Sequence, residues 1–98
     1  MSLIIAARLA ELAARHETTS YGALARDLGL RMGELTAALE TLMAEDAALG
    51  RPFRAVVVSA RGSALPARGF FDKAAELGRP AVDQAAFVAD ERQALTQG

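Results

Sequence analysis

Thr19-Ser20-Tyr21-Gly22-Ala23-Leu24-Ala25-Arg26-Asp27-Leu28-Gly29-Leu30-Arg31 is the stretch on which the fold turns. Its first three residues are hydroxylated or β-branched, unlike the alanine-rich flanks, and suit a short extended piece or a capping turn. A helix follows from about residue 22 to residue 28, with Leu24, Ala25 and Leu28 on its inner face. Gly29 stands where a left-handed residue ends a helix. Beyond it, Met32, Leu35, Leu39, Leu42 and Leu49 form one stripe of a long helix over residues 31–49, stopped by Gly50 and Pro52. Glu45 and Asp46 read as its solvated face. Two helices joined by Leu28-Gly29-Leu30-Arg31 have the spacing and the glycine of a helix–turn–helix.

Upstream, Leu3, Ile5, Leu9, Leu12 and His16 predict a first helix over residues 3–16, with Ser2 as N-cap and His16 capping its C-terminal carbonyls. Downstream the period changes. Residues 53–59, Phe-Arg-Ala-Val-Val-Val-Ser, are enriched in β-branched side chains and read as a strand. Ala60-Arg61-Gly62-Ser63 supplies turn chemistry, and Ala64-Leu65-Pro66 a short edge strand returning along the first. Phe70 and Phe71 open a short helix to Leu77. Pro80 suits the first position of a last helix over residues 80–95, whose thin inner face is Val82, Phe87, Val88 and Leu95. The order predicts one domain over residues 1–98, α+β and mainly α: a winged helix–turn–helix, with a three-helix core, a β-hairpin wing and extra C-terminal helices.

Composition narrows the function classes. Of 98 residues, 52% are hydrophobic and 23% charged, as in a folded chain rather than a disordered one. Much of the apolar share is alanine, which favours helix and buries little per residue. The chain has no cysteine and one histidine, so disulfides, a thiolate metal site and a cysteine nucleophile are excluded and no metal or cofactor is expected. No apolar run approaches a secretory h-region or a membrane span, and the expectation is a cytoplasmic protein. Glycine-rich phosphate loops are missing, and scattered Ser, His and Asp at arbitrary spacing make no triad; the chain reads as a non-enzyme.

The charge is uneven along the chain. Acidic groups outnumber basic ones in residues 1–50 and again after residue 79. Arg51, Arg54, Arg61, Arg68, Lys73 and Arg79 instead face only Asp72 and Glu76 within residues 51–79. These are either ordinary solvated cations or a patch for a polyanion.

Thr19-Ser20-Tyr21-Gly22-Ala23-Leu24-Ala25 resembles the start of the helix–turn–helix in alkylguanine DNA alkyltransferases and alkyltransferase-like proteins. The likeness continues more loosely through Val56-Val57-Val58-Ser59-Ala60-Arg61-Gly62-Ser63 to Gly69-Phe70-Phe71-Asp72-Lys73-Ala74-Ala75-Glu76-Leu77-Gly78, spanning residues 18–78. In detail the chain is also similar to small bacterial and phage proteins of unassigned role. Those share the Tyr-Gly-x-Leu-Ala start, a proline before Ala55-Val56-Val57, and the Pro66-x-x-Gly69-Phe70 closure. The alkyltransferases carry their acceptor cysteine in Pro-Cys-His-Arg, where this chain has Arg51-Pro52-Phe53-Arg54-Ala55. Without a thiolate, alkyl transfer is excluded. The family's base-displacing arginine falls on Leu35. The resemblance implies the scaffold and a DNA-facing role for Tyr21.

Two functions follow as expectations. The first is binding to double-stranded DNA through Tyr21, Arg31, Arg51, Arg54, Arg61, Arg68 and Lys73. In this reading the basic wing leads, because Glu34, Glu40, Glu45 and Asp46 would repel phosphates from the long helix. The second is a protein-interaction or dimerisation module, pairing an acidic helix with a basic wing.

Overall fold

The computed structural model describes residues 2–97, and the side chains of residues 4–96. Helix α1 (Ser2–Ala14) buries Ile5, Leu9, Leu12 and Ala13. It ends earlier than its apolar spacing predicts because His16 turns into the left-handed region at φ 55°. The Glu17 N–H then closes on the Leu12 carbonyl at 2.9 Å, and the His16 N–H on Ala13 at 3.1 Å. The expected cap at His16 is therefore made by backbone rather than by the imidazole. The cap expected from Ser2 and the inward place of Leu3 fall outside the described side chains.

Strand β1 (Thr19–Ser20) leads directly into α2 (Tyr21–Leu28). Ser20 Oγ accepts from the Ala23 N–H at 3.1 Å, the side-chain bond of an N-cap. Gly29, at φ 66°, ends α2 as its position in the sequence predicts. Helix α3 (Met32–Ala48) follows a short turn and buries Leu35, Leu39, Leu42 and Met43. Two members of its expected stripe do not go inside: Met32 is half exposed and Leu49 is exposed.

The segment after α3 departs most from expectation. Residues 53–59 form no hairpin strand. Arg54–Val57 is a 3₁₀ turn, and the strand is limited to Val58–Ser59 (β2). β2 pairs in parallel with β1, Thr19 opposite Val58 and Ser20 opposite Ser59. Burial explains the difference. A strand of an exposed hairpin alternates buried and solvated side chains, whereas Ala55, Val56, Val57, Val58 and Ser59 are all buried here. The run is threaded through the core, against α1, α3 and α5. The return strand expected at residues 64–66 is replaced by a loop. Its one ladder-like bond runs from the Ala60 N–H to the Leu65 carbonyl at 2.8 Å, and Pro66 has no N–H to extend it.

Helices α4 (Arg68–Glu76) and α5 (Gln84–Gln97) complete the domain. α5 starts after, not at, Pro80. Asp83 Oδ1 accepts from the Ala86 N–H at 3.1 Å, and a capping carboxylate outcompetes the proline as a start signal. Val82, expected on the inner face of the last helix, lies ahead of it and is fully exposed. Val88 is buried, and Phe87 and Leu95 pack against the core. The architecture is α+β and mainly α, with one small two-stranded parallel sheet.

Candidate nucleic-acid interface

The basic segment divides when folded. Asp46, in the last turns of α3, is completely buried, which corrects the reading of Glu45-Asp46 as a solvated pair. Its Oδ1 accepts from Arg51 Nε and from Arg54 Nε, each at 2.9 Å, and its Oδ2 accepts from the Arg54 backbone N–H at 2.9 Å. Arg51 and Arg54 are thereby structural groups. A carboxylate buried near a helix C-terminus, where the dipole disfavours it, requires this compensation.

Arg79 is engaged on the other side of the same segment. It donates to the Arg51 carbonyl at 2.8 Å, stands 4.5 Å above the Phe53 ring and pairs with Glu91 at 3.5 Å. Lys73 pairs with Glu76 at 3.1 Å. Arg92, in α5, donates to the Val56 carbonyl at 2.9 Å and to Ser59 Oγ at 3.2 Å, and burial lowers its pKa from the ordinary value. These bonds fasten the buried run to the helices around it. Among the expected contacts, Arg51 and Arg54 therefore serve the fold, while Lys73 is engaged only in an exposed pair within α4.

The remaining expected residues stay outside. Arg68 is 93% exposed, with Asp72 at 3.9 Å. Arg31 begins α3 exposed; its backbone N–H donates to Glu34 Oε1 at 2.9 Å, and its guanidinium forms no ion pair among the described residues. Arg61 is exposed in the loop after β2, likewise without an ion pair among the described residues. Arg26 shares that state and was not among the expected contacts. Its signal is legible in hindsight, since Gly22 and Arg26 are one helical turn apart and lie on one side of α2.

Tyr21, Arg26 and Arg61 border one cleft of about 740 Å³ between α2, α3, the residue 60–61 loop and the start of α4. The α3 wall is the stripe Met32, Thr36, Leu39, Glu40 and Met43, and Phe70 of α4 stands among the other walls. Arg31 precedes Met32 in the chain but does not line the cleft. Tyr21 ties the site together: its hydroxyl accepts from the Ala67 N–H at 3.1 Å, joining α2 to the chain entering α4. The Leu35 position, matched to a base-displacing arginine by the resemblance, is fully buried and offers nothing to a surface ligand.

Part of the acidity that counted against α3 is absorbed, chiefly at Asp46. Asp46 is buried and paired, Glu45 approaches Arg54 at 4.0 Å, and Glu34 accepts from the Arg31 backbone N–H. Only Glu40 borders the cleft. The exposed start of α3 presents Arg31 and Glu34, one charge of each sign, among Met32, Gly33, Thr36 and Ala37.

Burial raises the Tyr21 pKa above its ordinary value, outweighing the hydrogen bond from Ala67, which lowers it. A phenol held neutral in the fold contributes stability that is complete below its unfolded pKa of about 10 and is lost as pH rises through the higher folded value. Urea denaturation at about pH 9 and about pH 11 is therefore expected to show wild type losing more stability over that interval than Tyr21→Phe. At neutral pH the same variant should cost about 1 kcal/mol, because the Ala67 N–H loses its acceptor. Equal pH slopes for the two proteins would contradict the assignment.

No family model, curated protein or solved structure matches the chain. The described residues include no helix long and apolar enough to cross a membrane. Fold and cleft thus define a class: a mainly helical α+β domain whose two central helices frame a cleft bordered by arginines.

Proposed function

We propose that this chain is a non-catalytic cytoplasmic domain that binds double-stranded nucleic acid through the α2–α3 face. In this reading the fold is a variant winged helix whose wing is reduced to the residue 60–65 loop. The observation carrying it is that Arg26 and Arg61 border one cleft with the Met32, Thr36 and Glu40 side of α3, and that Arg31 directly precedes that helix. All three are exposed and have no ion-pair partner among the described residues. Phosphate neutralisation dominates such affinity, so uncommitted guanidinium groups around an insertable helix are the required feature. Contact is shared between helix and loop, whereas charge order along the chain alone favours the wing.

Fluorescence anisotropy with a labelled duplex tests the reading. With three phosphates neutralised, affinity should fall about 40-fold between ~50 and ~200 mM salt. Arg26→Glu combined with Arg61→Glu should abolish binding, while Arg51→Gln should leave the salt slope unchanged. Failure to bind any duplex at ~50 mM salt would remove the proposal. One observation favours a second reading, a protein partner or second copy. Met32 and Met43 on the cleft wall are the adaptable apolar side chains that protein-binding grooves use. Salt-insensitive self-association by light scattering would support it.

A further inference from the structure

We propose that the cleft is a binding site for a small aromatic monocarboxylate, independent of any duplex. Its volume of about 740 Å³ lies within the range of small-molecule sites, roughly 300–1,000 Å³. Small side chains keep it open. Gly22, Ala23, Ala55 and Gly69 border it, and a side chain added at either glycine would meet open space. Its walls suit a flat ring, since Met32, Met43, Tyr21 and Phe70 are among the residues that line it, and thioether and aromatic groups pack well against aromatic ligands.

Charge selects among apolar ligands. Arg26 and Arg61 face a single carboxylate, Glu40, among the residues bordering the cleft. The balance leaves one positive charge, which matches a monoanion, and a guanidinium fork binds a carboxylate through two parallel hydrogen bonds. Tyr21 adds a donor: its oxygen already accepts from Ala67, and its O–H has no acceptor among the described residues. An aromatic acid entering ring first would place its carboxylate at the mouth, between the arginines. A buried charge left without such partners would not enter.

The test is calorimetric titration of the full chain with 1-naphthoate and with neutral 1-naphthylmethanol, which share a ring system and differ in charge. Naphthoate is expected to bind at one saturable site, at least ~10-fold tighter than the alcohol. Arg26→Gln with Arg61→Gln should erase that preference. Gly22→Leu, or Gly69→Leu should the first variant fold poorly by circular dichroism, should weaken both ligands by occupying the space. The proposal is overturned by equal affinity for the two molecules, by no saturable naphthoate binding, or by binding that survives both arginine replacements. Each of these results leaves duplex binding to be judged by its own anisotropy assay, so the two proposals fail separately.

Discussion

Asp46→Ala is expected to destabilise the domain by about 3 kcal/mol, a fall in Tm of ~12–24 °C for a chain of this size. The carboxylate is completely buried, and both its oxygens accept from the segment that follows α3. Removing it strands the Arg54 N–H and two guanidinium groups whose positions the carboxylate fixes. The lower end of the usual cost for breaking a buried pair applies, since the Arg51 side chain is 45% exposed and water can rehydrate it. Arg51→Gln should therefore cost less than 1 kcal/mol, and Arg54→Gln more, because Arg54 also touches Oδ2 and is better buried. Asp46→Asn separates charge from shape. Its amide nitrogen would present a donor to donors, so it should recover little of the loss. Thermal and urea denaturation by circular dichroism measure all four, and a loss below 1 kcal/mol for Asp46→Ala would show that the pair contributes no net stability.

Phe53→Ala is expected to cost about 3–5 kcal/mol, the range for truncating a buried aromatic side chain. Phe53 is completely buried, its ring edge-on to Phe70 at 5.9 Å and 85°, with the Arg79 guanidinium 4.5 Å over its face. Its backbone N–H donates to Glu91 Oε1 at 3.2 Å, which ties α5 to the same point. Truncation leaves a cavity between α4 and α5, and Arg79 loses the ring it lies on. A double-mutant cycle with Arg79→Gln should give a coupling of about 0.5–1 kcal/mol. Zero coupling would reduce the stacked geometry to mere proximity. Phe53 and Asp46 hold neighbouring residues of one segment, so the Phe53→Ala and Asp46→Ala losses should not add. Either loss is a large fraction of a typical domain's stability.

Local patterns in the sequence were readable where each residue's environment depends on its near neighbours. Ile5, Leu9 and Leu12, then Leu24 and Ala25, then Leu35, Leu39 and Leu42 follow helical spacing, and all are buried. Gly29 marks the end of α2 because its left-handed φ is a local requirement. Tyr21 and Arg61 stand out in the sequence, and the structure brings both to the cleft. Arg51 and Arg54 stand out for the same reason, charge, yet are engaged with the buried Asp46. Nothing in a list of cations reveals that a carboxylate on the preceding helix will turn inward to meet two of them. Pro80 predicts the start of the last helix, but the Asp83 carboxylate that reaches the Ala86 N–H sets it instead.

Residues 19–31 are readable from local sequence alone: the extended residues of β1, helix α2 and the turn into α3. Capping serine, helical spacing and terminal glycine act within a few residues, and the short-range energies of caps and turns suffice to place α2 and the start of α3. The partner of β1, and the place where positive charge becomes available, depend on long-range packing. Thr19 and Ser20 meet Val58 and Ser59 across most of two helices because the apolar run at residues 55–58 lowers its free energy by burial on every side. That burial outweighs the local turn preference of Gly62-Ser63 for a hairpin. The same run carries Arg54 to Asp46 and leaves Arg26, Arg31 and Arg61 facing solvent beside the cleft.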